Sequence, residues 1–461
     1  MKLIDRIKNW KFIKTLTNIY NIEDLRNRIL ITFLFVLIYR FGSFVVLPGI
    51  DPASLAALSE NMGEQTESGI MALLDMFSGG AFSNASIFAL GIMPYISASI
   101  VMQLLTIAVP ALQKKQQDES GHKKIQQYTR YVTVLILLLQ APSYLVNLTT
   151  RMESQQIPVP EGWWFIISSM IILCAGSMFV MWLGERITDR GVGNGISFII
   201  LVGIIARFPG AISQEFATCL EDQGGGGLVK FLIEIIMLFV VSCAAILLVQ
   251  GVRKIPVYYA KRVENGKQYG GVRNYIPLKV NAAGVMPIIF AQAIMFVPVM
   301  ILSPGVLSDG AETSFFYKSF TDMNGWLYNL VIAILIIVFT YLYTAITINP
   351  TKIADNLKKN NGFIPQKNPG SETAEYLDTI MSRLTAPGSI CLAIIAILPA
   401  IAAKFDVTAQ FAQFFGGTSL LIIVGVCLDT LQQVESHLLM NHYDGLMESG
   451  RIQGRSGLSA Y

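Results

Sequence analysis

The sequence predicts an all-α, polytopic membrane protein with ten transmembrane helices in two inverted five-helix halves. Three observations carry that prediction: a composition too apolar for water, ten apolar runs of helix length, and basic loops confined to one set of alternate connections. Of 461 residues, 53% are hydrophobic and 14% charged, with a mean hydropathy of +0.53, whereas soluble domains carry roughly 25% charge. A surface this poor in charge would leave large apolar patches in water, but a bilayer accepts them.

A helix needs about 20 apolar residues to cross ~30 Å of hydrocarbon. Such runs occupy 29–47, 86–108, 131–148, 163–183, 195–207, 229–250, 283–302, 327–348, 386–403 and 418–438, the fifth being short. The arm 1–28 is basic and has no compact apolar core followed by small residues, so the first run is expected to be retained rather than cleaved. Ten crossings return both termini to one side. Loops 110–130, 251–282 and 349–383, the 184–190 connection, the arm and the tail 439–461 fall on that side. Together they hold roughly 28 Lys and Arg against about five opposite, which makes both termini cytoplasmic. The halves are then 29–208 and 229–438, joined by an external connection at 209–228. Their opposite starting sides are the arithmetic of an inverted repeat, although no residue-level repeat is visible.

The first outward loop, 48–85, carries Asp51, Glu60, Glu64, Glu67 and Asp75 but no Lys or Arg. Within it, 70–82 is apolar and Gly-bearing yet too short to cross. It is either a surface turn or a segment that lies at the interface or folds back into the protein. Ionisable groups inside the spans are few: Arg40, Asp429, and Lys230 with Glu234 near the outer end of the sixth. An ion-coupled carrier needs such groups at mid-membrane, and a proton relay needs more of them.

Nothing in the pattern indicates catalysis, a metal or a cofactor. The glycine-rich stretch Gly191, Val192, Gly193, Asn194, Gly195 joins two apolar runs and follows no strand pattern, which disfavours a phosphate cradle. His122, His437 and His442 have no metal spacing, and the five cysteines form neither a disulfide frame nor a zinc pattern. Energy for transport must then come from a partner. The outsized feature is the loop 251–282, where Arg253, Lys254, Lys261, Arg262, Lys267, Arg273 and Lys279 face a single acid, Glu264, and alternate with Tyr258, Tyr259, Tyr269 and Tyr275. A hairpin of this kind suits RNA, an acidic protein surface or anionic headgroups. Its length favours docking of a large partner.

Two long stretches resemble signatures of the SecY family. One runs from Ser86 through Gly91, Ile92, Met93, Pro94 and Tyr95 to Ile100 and continues with Gln103, Leu104 and Leu105. The other runs from Trp182 through Gly184, Glu185, Arg186, Thr188, Asp189 and Arg190 to Ser197. Shorter matches follow in the family's order, among them Phe77 to Ala81, Gln127 to Tyr131, Tyr259 to Arg262, Pro277 to Asn281, Ala354 to Lys359 and Phe415 to Leu421.

The resemblance implies an hourglass channel in the bacterial inner (plasma) membrane that passes unfolded secretory chains and releases apolar helices sideways into lipid. It implies a waist ring at Ile92, Ile96, Ile200, Ile289 and Ile422, and a plug over 70–82 that includes Met71, Leu73, Leu74, Met76, Phe77, Ser78, Gly79 and Gly80. A lateral gate would lie between spans two and three and spans seven and eight, with Pro94, Pro287 and Pro298 easing bending. Docking of the motor ATPase SecA or a ribosome is expected at Arg253, Lys254, Lys261, Arg262, Lys358 and Lys359. Small SecE-like and SecG-like subunits, precursor chains and membrane lipids complete the partners. One departure concerns docking: Asn368 stands before Pro369 and Gly370 where the family usually has arginine, so the contact there is lost or moves to Lys367. Asn lacks arginine's bidentate bonds, and Lys supplies only a point charge. A ten-span carrier of a small solute is the rival reading, and a lipid-processing enzyme would need a catalytic cluster.

Overall fold

The computed structural model describes residues 22–52, 75–109, 112, 115, 119–154, 162–221, 227–259, 262–264, 267–269, 273–301, 325–405 and 407–448. The ten apolar runs all fall on helices. In chain order these are α1 (Glu23–Gly42), α2 (Met93–Ala108), α3 (Glu119–Ser154), α4 (Trp163–Arg190), α5 (Gly195–Glu221), α6 (Gly227–Gln250), α7 (Met286–Ile301), α8 (Trp326–Thr347), α10 (Ser371–Ala403) and α12 (Gly417–Glu448). The remaining helices, α9 (Pro350–Lys359) and α11 (Ala409–Ala412), lie outside those runs. Seven of the ten are long and apolar enough to cross a membrane unaided. Of the others, α1 carries Glu23, Asp24 and Arg40 in its end turns, and α2 and α7 have 16 residues each, ~24 Å at 1.5 Å per residue.

Three helix boundaries depart from the sequence expectation. The second apolar run begins as turns, and its helix starts only at Met93, with Pro94 in the first turn, where a missing N–H costs nothing. Pro287 likewise sits second in α7, so these two prolines start helices rather than bend them, while Pro298 lies within α7. The fifth helix does not stop at 207. It continues through Pro209 to Glu221, into the stretch expected to be an external connection. Burial explains the extension: Ala211, Glu215 and Cys219, four residues apart, form a packed face, and α5 meets α6, α11 and α12.

A small sheet also departs from an all-helical chain. β1 (Val252–Tyr259) pairs antiparallel with β4 (Arg273–Lys279), from Val252 opposite Lys279 to Tyr258 opposite Arg273, and its far end pairs with β5 (Gly362–Phe363). At the tip, β2 (Arg262–Glu264) pairs with β3 (Lys267–Tyr269). The strands were hidden because Arg253, Lys254, Pro256 and Pro277 interrupt the alternation that marks a half-buried strand. Ile255, Val257 and Leu278 pack with Leu357 of α9 and with Leu377, Ile380 and Met381 of α10, which anchors the hairpin to the helices. Helix α9 is firmly started: the Asn349 side chain accepts the Thr351 and Lys352 N–H groups, Pro350 follows the cap, and Lys358 and Lys359 lie at the negative end of the helix dipole.

The largest hydrophobic cluster lies where the helices converge. It includes Tyr39, Phe77, Ile200, Phe290, Ile336 and Leu392, each from a different part of the chain. Around it, side chains such as Trp164 (85% exposed), Leu247 (72%) and Phe239 (69%) turn outward, as they must against lipid. The 191–194 turn ties distant helices together. The Val192 N–H donates to Thr32 Oγ1 of α1 (3.1 Å), and the Gly193 N–H donates to Gln433 Oε1 of α12 (2.8 Å). Those amides are therefore occupied by side chains rather than held out for a phosphate. Between α3 and α4, Arg130 grips Glu185 through two bonds, at 2.7 and 3.2 Å.

Candidate functional site

The five isoleucines singled out from the sequence all lie in, or pack against, the largest hydrophobic cluster. Ile92 immediately precedes α2, Ile96 lies one turn into it, Ile200 is on α5, Ile289 on α7 and Ile422 on α12. Ile92, Ile96, Ile200 and Ile422 are buried in the largest cluster, and Ile289 is half-buried against it. Branched aliphatic side chains offer water and ions no hydrogen bond, so a collar of them resists wetting. The expected lateral seam also has a counterpart: α2 touches α7, while α3 packs on α2 and α8 on α7.

The described part of the segment expected to act as a plug, residues 75–82, lies against the same cluster. Met76 and Phe77 belong to it, and Ser78 is buried beside them; Met71, Leu73 and Leu74 lie outside the described residues. The chain then turns through Gly79 (φ +65°) and Gly80 (φ +92°), conformations that only glycine adopts cheaply. Close approach adds a second reason for glycine. A Cβ on Gly203 of α5 would stand 2.8 Å from the Phe77 carbonyl oxygen, and one on Gly79 would stand 2.9 Å from the Gly203 Cα.

Polar contacts hold this segment at both ends. Tyr39 Oη donates to the Ser78 carbonyl (3.0 Å) and Arg40 Nη1 to the Gly79 carbonyl (2.8 Å). Arg207 of α5 forms an ion pair with Asp75 and donates from Nη2 to Ser83 Oγ (2.8 Å). Asp75 Oδ1 accepts the Ser83 N–H (2.8 Å), and Tyr144 Oη of α3 donates to the Phe82 carbonyl (2.9 Å). Arg40, in the last turn of α1, is thus engaged by a backbone carbonyl. Arg207 and Gly203 were missed from sequence; the available signal for Arg207 was a lone arginine closing an apolar run just before Pro209.

The magnitudes show what seats the segment. Burying Met76 and Phe77 contributes about 1.5–3 kcal/mol each, the charge-assisted bond from Arg40 about 1.5–3 kcal/mol, and the partly exposed Arg207–Asp75 pair about 0–1 kcal/mol. A Gly203→Val substitution should therefore lift 76–80 from α5, because the new methyls collide with backbone rather than with a flexible side chain. A cysteine introduced by Ser78→Cys, silent to a water-soluble maleimide in the parent, should then label readily. Unchanged labelling would show that the segment is not held by this contact.

The second region of interest is the basic hairpin. Alternation splits its residues between two faces. Arg253 shares a face with the buried Ile255 and Val257 but lies beyond their end and is exposed, whereas Lys254, Tyr258, Arg273, Tyr275 and Lys279 share the outer face. On that face the Arg273 guanidinium lies 5.3 Å from the Tyr275 ring centroid and 5.7 Å from that of Tyr258, which in turn stacks on Phe363. Arg273 had not been singled out for docking, although its position between two tyrosines was legible. Lys261 lies outside the described residues, and Arg262 is placed only as the first residue of β2. Lys358 and Lys359 are exposed at the end of α9. Lys367 is engaged by Glu372 (3.3 Å), and Asn368 donates to the same carboxylate from its side chain (2.8 Å) and its backbone (3.3 Å). At the position where arginine was expected, Asn368 therefore builds the start of α10.

A family model described as SecY matches residues 86–431. The chain is 40% identical over 438 residues to the protein translocase subunit SecY of Streptomyces scabiei, covering 93% of this chain and 98% of that one. It is 38% identical over 443 residues to that of Thermotoga maritima (95% and 98%), and 40% identical over 433 residues to that of Escherichia coli K12 (94% and 96%). Among solved structures, a protein-conducting channel aligns with a TM-score of 0.60 at 16% identity, over 89% of this chain and 92% of that one. Sec61 from a canine ribosome–channel complex aligns at 0.59 and 16%, with the same coverage. These structural likenesses bear on the fold.

Proposed function

The chain belongs to the SecY family, and from that premise we propose how it works as a protein-conducting channel rather than an enzyme. Unfolded secretory polypeptides pass between the two helical halves through the isoleucine collar, and sufficiently apolar segments leave sideways into lipid between α2 and α7. The observation that supports this reading is that Ile92, Ile96, Ile200 and Ile422 belong to one hydrophobic cluster with Met76 and Phe77, and that Ile289 packs against it. A collar of this kind seals without binding: it excludes water and ions when empty and yields around an extended chain. Residues 75–82, and by extension the rest of 70–82, act as the plug that leaves when a chain enters.

The basic face of the hairpin, with Lys358 and Lys359 behind it, is the docking side for a ribosome or for a SecA-type motor, which supplies the push. That side is cytoplasmic, as are both termini, and the membrane is the bacterial inner membrane. Small SecE-like and SecG-like subunits cover part of the lipid-facing surface. A ten-span solute carrier would require a polar substrate site at the repeat interface, and the groups converging here are aliphatic. The test uses inverted membrane vesicles bearing the chain with its partner subunits, a radiolabelled secretory precursor, motor and ATP. The precursor should become protease-resistant in an energy-dependent manner; a precursor that stays digestible while a small solute crosses would favour the carrier.

A further inference from the structure

A cluster unrelated to the collar lies where α5 ends and α6 begins. Glu215 and Cys219 sit four residues apart on the buried face of α5, and Glu234 reaches them from the second turn of α6. Their exposures are 0%, 4% and 6%. One oxygen from each carboxyl group and the Cys219 sulfur all lie within 4.8 Å of one another. The far oxygen of Glu215, Oε2, is held from outside the cluster: the Thr408 backbone N–H donates to it at 2.9 Å, and so does the Thr408 hydroxyl. Its near oxygen, Oε1, faces the Cys219 Sγ at 3.6 Å. Among the described residues, neither oxygen of Glu234 has a hydrogen-bond donor.

Two buried carboxyl groups and a thiol at this spacing need either a shared proton or a cation, because a buried carboxylate without a compensating partner is strongly unfavourable. Lys230, one turn before Glu234 on the same helix, brings one positive charge to the neighbourhood, fewer than two ionised carboxylates would need. We propose that Glu215, Cys219 and Glu234 form a binding site for a divalent transition-metal ion of the zinc class, which clamps the end of α5 to the start of α6.

The donor set argues for that class. A thiolate beside carboxylates selects zinc-like ions over magnesium or calcium, which prefer oxygen alone. Zinc takes sulfur at about 2.3 Å and carboxylate oxygen at about 2.0–2.2 Å, so a tetrahedral set needs donor separations of roughly 3.3–3.8 Å. The Cys219 sulfur and the near Glu215 oxygen already stand 3.6 Å apart, the Glu234 oxygen lies within 4.8 Å of both, and a water completes the fourth position. Thr408 does what supporting hydrogen bonds do at built metal sites: it fixes one carboxylate oxygen so that the other points at the ion. Binding requires the Cys219 thiolate, so the Cys219 proton passes to solvent as the sulfur–metal bond forms, and affinity rises with pH.

The test uses the full chain in nanodiscs, purified without a histidine tag, with the exposed Cys243, Cys391 and Cys427 changed to serine. After chelator treatment it is titrated with Zn2+ alone, and separately with Co2+ as a spectroscopic probe. One equivalent of Zn2+ should be retained per chain, and Co2+ should give a near-ultraviolet thiolate charge-transfer band that disappears in Cys219→Ser. Glu234→Gln, which preserves shape, should weaken Zn2+ on the order of 100-fold, and Thr408→Val by roughly tenfold with unchanged stoichiometry. Failure of the parent chain to retain one equivalent overturns the proposal without reference to any variant. So does a Co2+ band that survives Cys219→Ser. A third contrary result is Glu234→Gln raising the melting temperature while no metal is held, which would identify two carboxyls sharing a proton.

Discussion

Opening the collar with Ile92→Gly together with Ile422→Asn should raise the resting ion conductance of the channel in planar bilayers by on the order of tenfold or more, because a constriction that seals by dewetting fails once it is widened and given a hydrogen-bonding group. Both positions are almost fully buried, at 3% and 1% exposure, and they approach from opposite ends of the chain. The double change therefore removes aliphatic surface from two sides at once and introduces an amide that holds water. Each substitution also removes packing from the core, so the folded fraction should be checked by size-exclusion before conductance is read. The matched control is a pair of changes of similar chemistry on lipid-facing α6, Leu247→Gly with Phe239→Asn, which should leave conductance at the parent level. Conductance that stays at parent level in the Ile92 and Ile422 double variant would remove these residues from the barrier.

The second large effect concerns docking. Reversing Lys254, Arg273 and Lys279 to Glu should abolish most binding to ribosomes at physiological salt. It should also lower the slope of log affinity against log salt by about 2.7, if each residue neutralises one phosphate. These three share the outer face of the hairpin, while the opposite face is committed to Leu357, Leu377 and Ile380, so the changes alter charge without touching the anchor. Arg253→Glu alone should have a smaller effect, because Arg253 lies on the anchoring side of the ladder. Equal losses for Arg253→Glu and for the triple variant would mean that the outer face is not the contact. An unchanged salt slope would mean that the partner is held by something other than phosphate.

The helical membrane fold was legible because the bilayer enforces it: a spanning helix must be apolar for about 20 residues. Each of the ten runs holds a helix for that reason, although 43–47 of the first and 86–92 of the second are not helical. What was not legible depended on long-range partners. Helix α5 outruns its apolar run because Ala211, Glu215 and Cys219 find partners on α6 and around Thr408. Strands β1 and β4 exist despite Pro256 and Pro277 because α9 and α10 supply the core beneath them.

The same holds at the site. The positions of the five isoleucines came only from resemblance to the family, since an isoleucine in an apolar helix has no individual signature. The contacts that seat residues 75–82 join Arg40 to Gly79 and Arg207 to Asp75 across long stretches of chain, and neither periodicity nor composition encodes such pairs. Gly203 illustrates the limit well: in the sequence it is one more small residue in a span, and only the approach of the Phe77 carbonyl shows why a side chain cannot stand there.

The most direct measurement is crosslinking of a secretory precursor stalled in transit to single cysteines placed by Ile92→Cys, Ile96→Cys, Ile200→Cys, Ile289→Cys and Ile422→Cys, with Phe239→Cys and Leu247→Cys as lipid-facing controls. Passage of the chain through the collar predicts adducts at all five positions and none at the controls. Adducts at the controls with none at the five would contradict it.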